Sequence, residues 1–375
     1  MDAELSPEQH QIVQHVAEGR SVCVRAMAGS GKTTTSILAA RARHTQVPGS
    51  RTLILTYNER LKTETRAKVE SDDYIEAHSF HAAALRYFQP STRSFDDALL
   101  HKAMQMKPAR SLGFDLIIVD ECQDMSPLLF AFVRHILRYV RQDLIERTGD
   151  PDAKPVVILV GDPFQRIFGF RGADLRYLMN PDQEFGDMVQ HGHFERCCLT
   201  ISWRITHEMA DWINKNLSPL NLRMIAPPEY WAQYGSFIRE CWGQGIRANP
   251  ERGPEPNSVF VLGTDRSSRM QYDKQRQIWM FKAGNQVLTR FRQESTRFGP
   301  ENVVVLGYSM KKTSSAALAL VNSITDANWI VLNGEGESHV TPELLAGKQV
   351  ASTIHKFKGL ERDASFLMMM GARTE

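Results

Sequence analysis

The sequence has few of the features that mark a membrane, secreted or metal-knit protein. Among 375 residues there are five cysteines (Cys23, Cys122, Cys197, Cys198 and Cys241), and no two form a CxxC pair. Neither a zinc ribbon nor a disulfide framework is therefore expected, and an intracellular, reducing compartment is the default. No apolar run approaches the ~18 residues of a membrane-spanning helix, and the opening stretch, residues 1–14, is too polar for a signal peptide. No membrane partner is expected. An excess of charge is also missing, since 45 Lys+Arg stand against 43 Asp+Glu. That balance does not exclude nucleic acid, because a neutral protein can still be basic in one groove. Repeats and low-complexity tracts are absent, and 42% hydrophobic with 23% charged residues excludes a disordered or fibrous chain.

What is present is a regular alternation. Short apolar runs fall at Ser21–Ala26, Arg51–Tyr57, Leu116–Asp120, Val156–Gly161, Ser258–Leu262, Asn285–Thr289, Asn302–Leu306, Trp329–Leu332 and Gln349–Thr353. Amphipathic helical spacing occupies Pro7–Glu18, Lys32–Arg43, Pro127–Arg141, Thr206–Leu217 and Lys312–Ser323. Continuous apolar strands separated by helices predict an α/β fold with parallel sheets covered on both faces. The length suits two domains. The basic residues divide into 31 Arg and 14 Lys, and eight of them lie in Arg266–Arg297. Arginine is the better phosphate fork, although genome base composition also produces an arginine excess.

One strand runs directly into Ala26-Met27-Ala28-Gly29-Ser30-Gly31-Lys32-Thr33 and then a helix. This is the phosphate-binding loop pattern, with Ala in the first glycine position. Small residues let backbone N–H groups wrap phosphates at a helix N-terminus, where the dipole favours anions. Lys32 would reach the β- and γ-phosphates and the Thr33 hydroxyl would ligate Mg²⁺. Such a loop needs an acidic partner on a nearby strand, and Leu116–Glu121 supplies it, with Asp120 for the metal shell and Glu121 for the attacking water. The expectation is binding and hydrolysis of ATP.

The motifs around these elements resemble those of the UvrD/Rep/PcrA-type superfamily-1 helicases, in order and over nearly the whole chain. Leu5-Ser6-Pro7-Glu8-Gln9 looks like the adenine-reading Q motif, Asp120-Glu121-Cys122-Gln123-Asp124 the DExQD box, and Gly161–Ala173 the GDxxQxIYxxRGA segment. Ile201-Ser202-Trp203-Arg204 stands at the xYR motif and Thr353–Glu361 matches TxHxxKGLE. Leu55–Asn58 and His78–His81 look closest to the F-box DNA helicase branch. The resemblance implies two RecA-like lobes, 1–195 with a short insertion at 82–113 and 196–375, closing on ATP and opening after hydrolysis. It implies movement on single-stranded or partly duplex DNA, 3′ to 5′, in DNA repair and recombination.

By the same resemblance Gln9 would bond the adenine, Trp203 would stack on it and Glu361, beside Gly359, would accept from the ribose. Thr34 follows the GKT where many relatives carry an adenine-packing Arg. Gln165 would sense the γ-phosphate and Arg204 would act as an arginine finger, a contribution of ~10³–10⁵ in rate where it operates. Tyr57, Asn58, Phe80, His81, Phe168, Phe170, Arg171, Thr353 and His355 are expected along the DNA track. Aromatics there stack on bases for roughly 1–3 kcal/mol each, while core packing is the alternative for Phe168 and Phe170. A metal cage at His78, His81 and His355 is not supported by their spacing. The TRA-like arginine motif is absent, so the second lobe is expected to lack its C-terminal strand and helix. That leaves a second possibility, a catalytically weak or split fragment that binds ATP and DNA without unwinding, completed by a separately encoded partner.

Overall fold

The computed structural model describes residues 5–57, 59–90, 96–166, 169–203, 247–248, 270–281, 285–307, 310, 316–332, 347–353 and 364–368. Contacts divide the chain into two units, Met1–Val259 and Phe260–Glu375. The protein is mixed α/β, as the alternation predicted.

The first unit is built on six parallel strands: β1 (Val22–Ala26), β2 (Thr52–Thr56), β3 (Ile75–Ser79), β4 (Leu116–Val119), β5 (Val156–Gly161) and β6 (Glu195–Leu199), in the order β3-β2-β4-β5-β1-β6. The four central strands are buried along their whole length. Their residues divide strictly by parity, since successive side chains of a strand point to opposite faces. On β4, Leu116 and Ile118 join a core with Ile12, Val16, Ile37 and Ala40 of helices α1 (Pro7–Ala17) and α2 (Lys32–Gln46). Ile117 and Val119 join the larger core on the other face. There they meet α4 (Phe80–Phe88), α5 (Asp97–Ala103) and the 22-residue α6 (Pro127–Thr148), after α3 (Glu59–Lys68). Two short helices, α7 (Arg176–Met179) and α8 (Pro181–Phe185), close that face with Tyr177 and Phe185. Helices on each face let an all-parallel sheet bury both sides.

Helix starts are set by local chemistry. Ser6 caps α1 in a reciprocal box: Gln9 N donates to Ser6 Oγ at 3.3 Å and Ser6 N donates to Gln9 Oε1 at 3.0 Å. Ser79 and Ser126 cap α4 and α6, and Pro127 occupies the first turn of α6. After β6, a two-residue strand β7 (Ile201–Ser202) pairs in parallel with β8 (Arg247–Ala248). Cys23, Cys122 and Cys197 are buried and free. Among the described residues, no helix is long and apolar enough to cross a membrane.

The second unit carries an antiparallel pair, β9 (Met270–Asp273) with β10 (Ile278–Phe281), and a four-stranded parallel sheet. That sheet has the order β12 (Trp329–Leu332), β13 (Gln349–Thr353), β11 (Val303–Gly307), β14 (Ala364–Met368). Helices α9 (Gln286–Phe298) and α10 (Ala316–Ser323) supply Val287, Phe291, Ala317 and Leu320 to its core.

One expected strand is a helix. Residues 285–289 open α9, because the Asn285 side chain accepts from Val287 N at 2.8 Å and caps it. Val287, Phe291, Glu294 and Ser295 then bury one helical face, a period invisible in a five-residue apolar window. The basic excess of Arg266–Arg297 is also partly spent internally, since the buried Glu294 pairs with Arg290 and, at 3.6 Å, with Arg297. The expected elements Ser258–Leu262 and Thr206–Leu217 lie outside the described residues.

Removing the α9 cap tests this start. Asn285→Ala is expected to cost about 1 kcal/mol, read as a lowered urea midpoint, with exposed Thr289→Ala as the near-neutral control.

Candidate functional site

Parallel strands bring the loops at their C-terminal ends to one edge of the sheet, and β5 lies between β1 and β4 in that edge. The loop after β1 is shaped by two glycines in the left-handed region, Gly29 at φ +72° and Gly31 at φ +81°. Ser30 closes the turn, its N and Oγ both donating to Met27 O at 3.3 and 2.8 Å. Gly31 is the N-cap of α2, which has no side-chain cap and no acidic residue in its first turn. The orphan N–H groups and the positive end of the helix dipole therefore face the loop, with Lys32 the first helical residue. This is an anion site by construction.

The acidic partners are close by. Thr33 Oγ1 donates to Asp120 Oδ2 at 3.1 Å, and Lys32 Nζ lies 3.7 Å from Glu121 Oε1. Burial, and then the Glu121 charge, push the Asp120 carboxyl up from its ordinary value, against the pull of Lys32. Glu121 itself has φ +55°, a left-handed conformation that a non-glycine residue adopts only under constraint from its surroundings. Its carboxylate accepts from Gln123 Nε2, and Gln123 Oε1 accepts from Asp162 N at 3.0 Å. Gln165 Nε2 donates to Asp162 Oδ2 at 2.8 Å, and burial raises the Asp162 carboxyl too. Sequence reasoning named Lys32, Thr33, Asp120, Glu121 and Gln165, and the fold gathers all five. It did not single out Gln123 or Asp162, the buried links among them. Both stand as matched letters of the quoted motifs, Gln123 in Asp120–Asp124 and Asp162 in Gly161–Ala173, but nothing in the sequence shows that they bond one another.

A second group converges on Gly31. A Cβ there would lie 3.1 Å from Gln9 Nε2 and 3.9 Å from Trp203 Cδ1 and Nε1. Gln9 Nε2 donates to Thr35 Oγ1 at 3.0 Å, and Trp203 N donates to Gly29 O at 2.9 Å. The segment that delivers Trp203 is held by Glu8, whose two carboxylate oxygens accept from Thr200 N at 2.7 Å and Thr200 Oγ1 at 2.6 Å. Gln9 and Trp203 thus both approach the loop at Gly31. Ala26 and Met27 are placed behind it: both are buried, and Met27 N donates to Leu199 O at 2.8 Å. Ala28 and Gly29 are half-exposed at the loop and Thr34 is exposed.

The expected DNA-track residues fare unevenly. Phe80 is 3% exposed in the core beneath α4, so it has no face to offer a base, and its assignment to the track is corrected. Tyr57 is half-buried beside Asp124 and hydrogen-bonded by Arg171, and burial raises its hydroxyl pKa. His81 is half-buried in the first turn of α4, and Thr353 ends β13 in the other unit. Asn58, Phe168, Arg204, His355, Gly359 and Glu361 lie outside the described residues, as does the side chain of Phe170. His78 serves the fold: its Nδ1 lies 2.9 Å from Arg66 Nη2 and its Nε2 3.2 Å from Glu76 Oε2. Glu76, bonded also by Tyr87 and Arg86, is pulled down to about 2.

The donors fit a hard cation bound together with phosphate. The Thr33 hydroxyl and the Asp120 carboxylate are oxygen ligands of the kind Mg²⁺ takes one or two at a time. Among the described residues no cluster of three or more His, Cys, Asp or Glu could hold a metal unaided.

Comparison with known proteins finds a family match over this stretch and several distant relatives. An AAA domain family model matches residues 9–171. RecBCD enzyme subunit RecB of Escherichia coli K12 is 28% identical over 132 residues, 33% of this chain and 10% of that protein. The ATP-dependent DNA helicase srs2 of Schizosaccharomyces pombe is 28% identical over 131 residues, 34% of this chain and 13% of that one. The chain spans roughly a tenth of the length of these curated relatives. Among solved structures, the Pyrococcus furiosus Hef helicase domain gives a TM-score of 0.44 at 12% identity, over 96% of this chain and 88% of that one. The Candida albicans Pif1 helicase gives 0.36 at 14%, over 61% and 47%.

The Asp120 shift has a sign that can be measured. An unfolded aspartate ionises at its ordinary value, whereas Asp120 holds its proton to higher pH in the fold. Its charged form therefore opposes folding at neutral pH, and the penalty fades as pH falls through the native value. Nucleotide-free Asp120→Asn is expected to melt a few degrees above wild type at pH 7.5, with the gain shrinking at pH 5. Equal melting temperatures at pH 7.5 would contradict the burial argument.

Proposed function

We propose that the protein is an ATP-dependent DNA helicase or translocase, coupling ATP hydrolysis to movement on single-stranded DNA. The observation that carries it is the joining of Lys32, Thr33, Asp120, Glu121 and Gln165 at one end of the first sheet, in front of the uncapped α2 N-terminus. Lys32 and the first-turn N–H groups bind the β- and γ-phosphates. Thr33 and Asp120 would hold Mg²⁺, which would neutralise part of the phosphate charge. Glu121 accepts a proton from the attacking water, and Gln165 registers the γ-phosphate. Gln9 and Trp203 take the base. This reading obeys general phosphoryl-transfer logic, in which positioning and electrostatics do nearly all the work.

The finer assignment, a UvrD/Rep/PcrA-like enzyme near the F-box branch, moving 3′ to 5′ in DNA repair or recombination, is part of the proposal and is supported by the motif order. Tyr57 and Arg171, which hydrogen-bond one another, are proposed to meet the strand.

Steady-state ATPase assays test the reading. Wild type is expected to hydrolyse ATP faster with single-stranded DNA present. Lys32→Ala should lose at least ~10²-fold in rate, and Glu121→Gln should lose ~10²–10⁴-fold while still binding a fluorescent nucleotide. A Lys32→Ala protein as active as wild type would overturn the site. A low rate indifferent to single-stranded DNA would overturn the motor.

A further inference from the structure

Gln123 is fully buried in the turn after β4, at 0% exposure. A buried amide is costly unless both its ends are paired, and here both are, each to a group at the reacting end of the sheet. Nε2 donates to Glu121 Oε2, and Oε1 accepts from Asp162 N at 3.0 Å. Asp162, 2% exposed, carries the chain onward: Oδ1 accepts from Phe164 N at 3.0 Å and Oδ2 from Gln165 Nε2 at 2.8 Å. One line of hydrogen bonds therefore runs Glu121–Gln123–Asp162–Gln165, joining the turn after β4 to the turn after β5.

Space for this line depends on Gly161. A Cβ on Gly161 would lie 2.4 Å from Gln123 Oε1 and 3.1 Å from both Gln123 N and Leu178 Cδ2. The backbone of Gly161 is not left-handed, so the glycine supplies room for an amide rather than an unusual turn. A glycine and a glutamine, 38 residues apart in sequence, are fitted to one another.

We propose that Gln123 is a positioning residue for ATP hydrolysis. Its N–H fixes the rotation of the Glu121 carboxylate, leaving Oε1 toward Lys32 at 3.7 Å, and its carbonyl ties that orientation to Asp162 and Gln165. Glu121 and Gln165 are thereby set as a pair: a displacement of the Gln165 amide from Asp162 is transmitted to the group that takes the water's proton. A Leu or Met would fill the same volume and bring none of this. The inference rests on the proposed ATPase activity.

The test uses the full chain with ATP, Mg²⁺ and single-stranded DNA. Gln123→Met keeps the volume and removes both bonds. It is expected to lower kcat by ~10-fold or more with KM for ATP within ~2-fold and with a lowered melting temperature, because Asp162 N loses its acceptor. Gly161→Ala should show the same kcat loss together with a lowered melting temperature. Adding Gln123→Ala to Gly161→Ala should recover melting temperature, because the clashing amide is gone, and should leave kcat low. The two substitutions should thus be non-additive in kcat. A Gln123→Met enzyme with kcat within twofold of wild type, or fully additive losses in the double variant, would overturn the proposal. If Lys32→Ala and Glu121→Gln abolish hydrolysis while Gln123→Met does not, the positioning role alone fails. If all three hydrolyse ATP as wild type does, the assignment of the site to these residues fails with it.

Discussion

A largely covered lysine drawn against the Glu121 carboxylate, with Asp120 next in the chain, anchors the end of the first unit's parallel sheet. The Lys32 side chain is 11% exposed and that of Glu121 12%, and Asp120 is 3% exposed. Charges so far from water persist only when they answer one another. They can do so here because β1, β5 and β4 lie side by side and release their chains at the same edge. The uncapped end of α2 adds positive potential to the lysine, and Glu121 adds negative potential to Asp120. The arrangement is balanced but not relaxed, as the raised Asp120 carboxyl and the left-handed Glu121 backbone show. A ligand that carries phosphate and a divalent cation together matches both halves of it.

Much of this was legible in the sequence, for physical reasons that differ by element. The loop after β1 is readable because only small residues at fixed offsets let the backbone turn through Gly29 and Gly31. The central strands are readable because burial on both faces forces an unbroken apolar run. The edge strands were not. β3 carries Glu76 and His78, and β6 opens with Glu195 and Arg196, so each looks like a polar connection. Asn285–Thr289 deceived in the opposite direction, because a short apolar window has no period.

Individual side chains were harder still. Phe80 sits beside a motif expected to touch DNA, yet it is the first residue of α4 and turns into the core. Nothing in its neighbours distinguishes an aromatic that serves packing from one that meets a base. Gln123 and Asp162 were overlooked for the complementary reason. Their importance lies in a partner distant along the chain, and a single sequence records composition but not who bonds whom.

The link between Glu8 and Thr200 closes a loop across 192 positions of sequence. Contacts of such separation form late, because the entropy of bringing distant segments together must be met before they return any stabilisation. The strand–loop–helix of the phosphate site is contiguous, yet β1 pairs with β5 and β6 and has no strand beside it until Val156–Gly161 is present. The wall that holds Trp203 against Gly31 must wait for β6 to dock beside β1. The strand that leads into the phosphate loop and the wall beside that loop are therefore both completed only near the end of the first sheet.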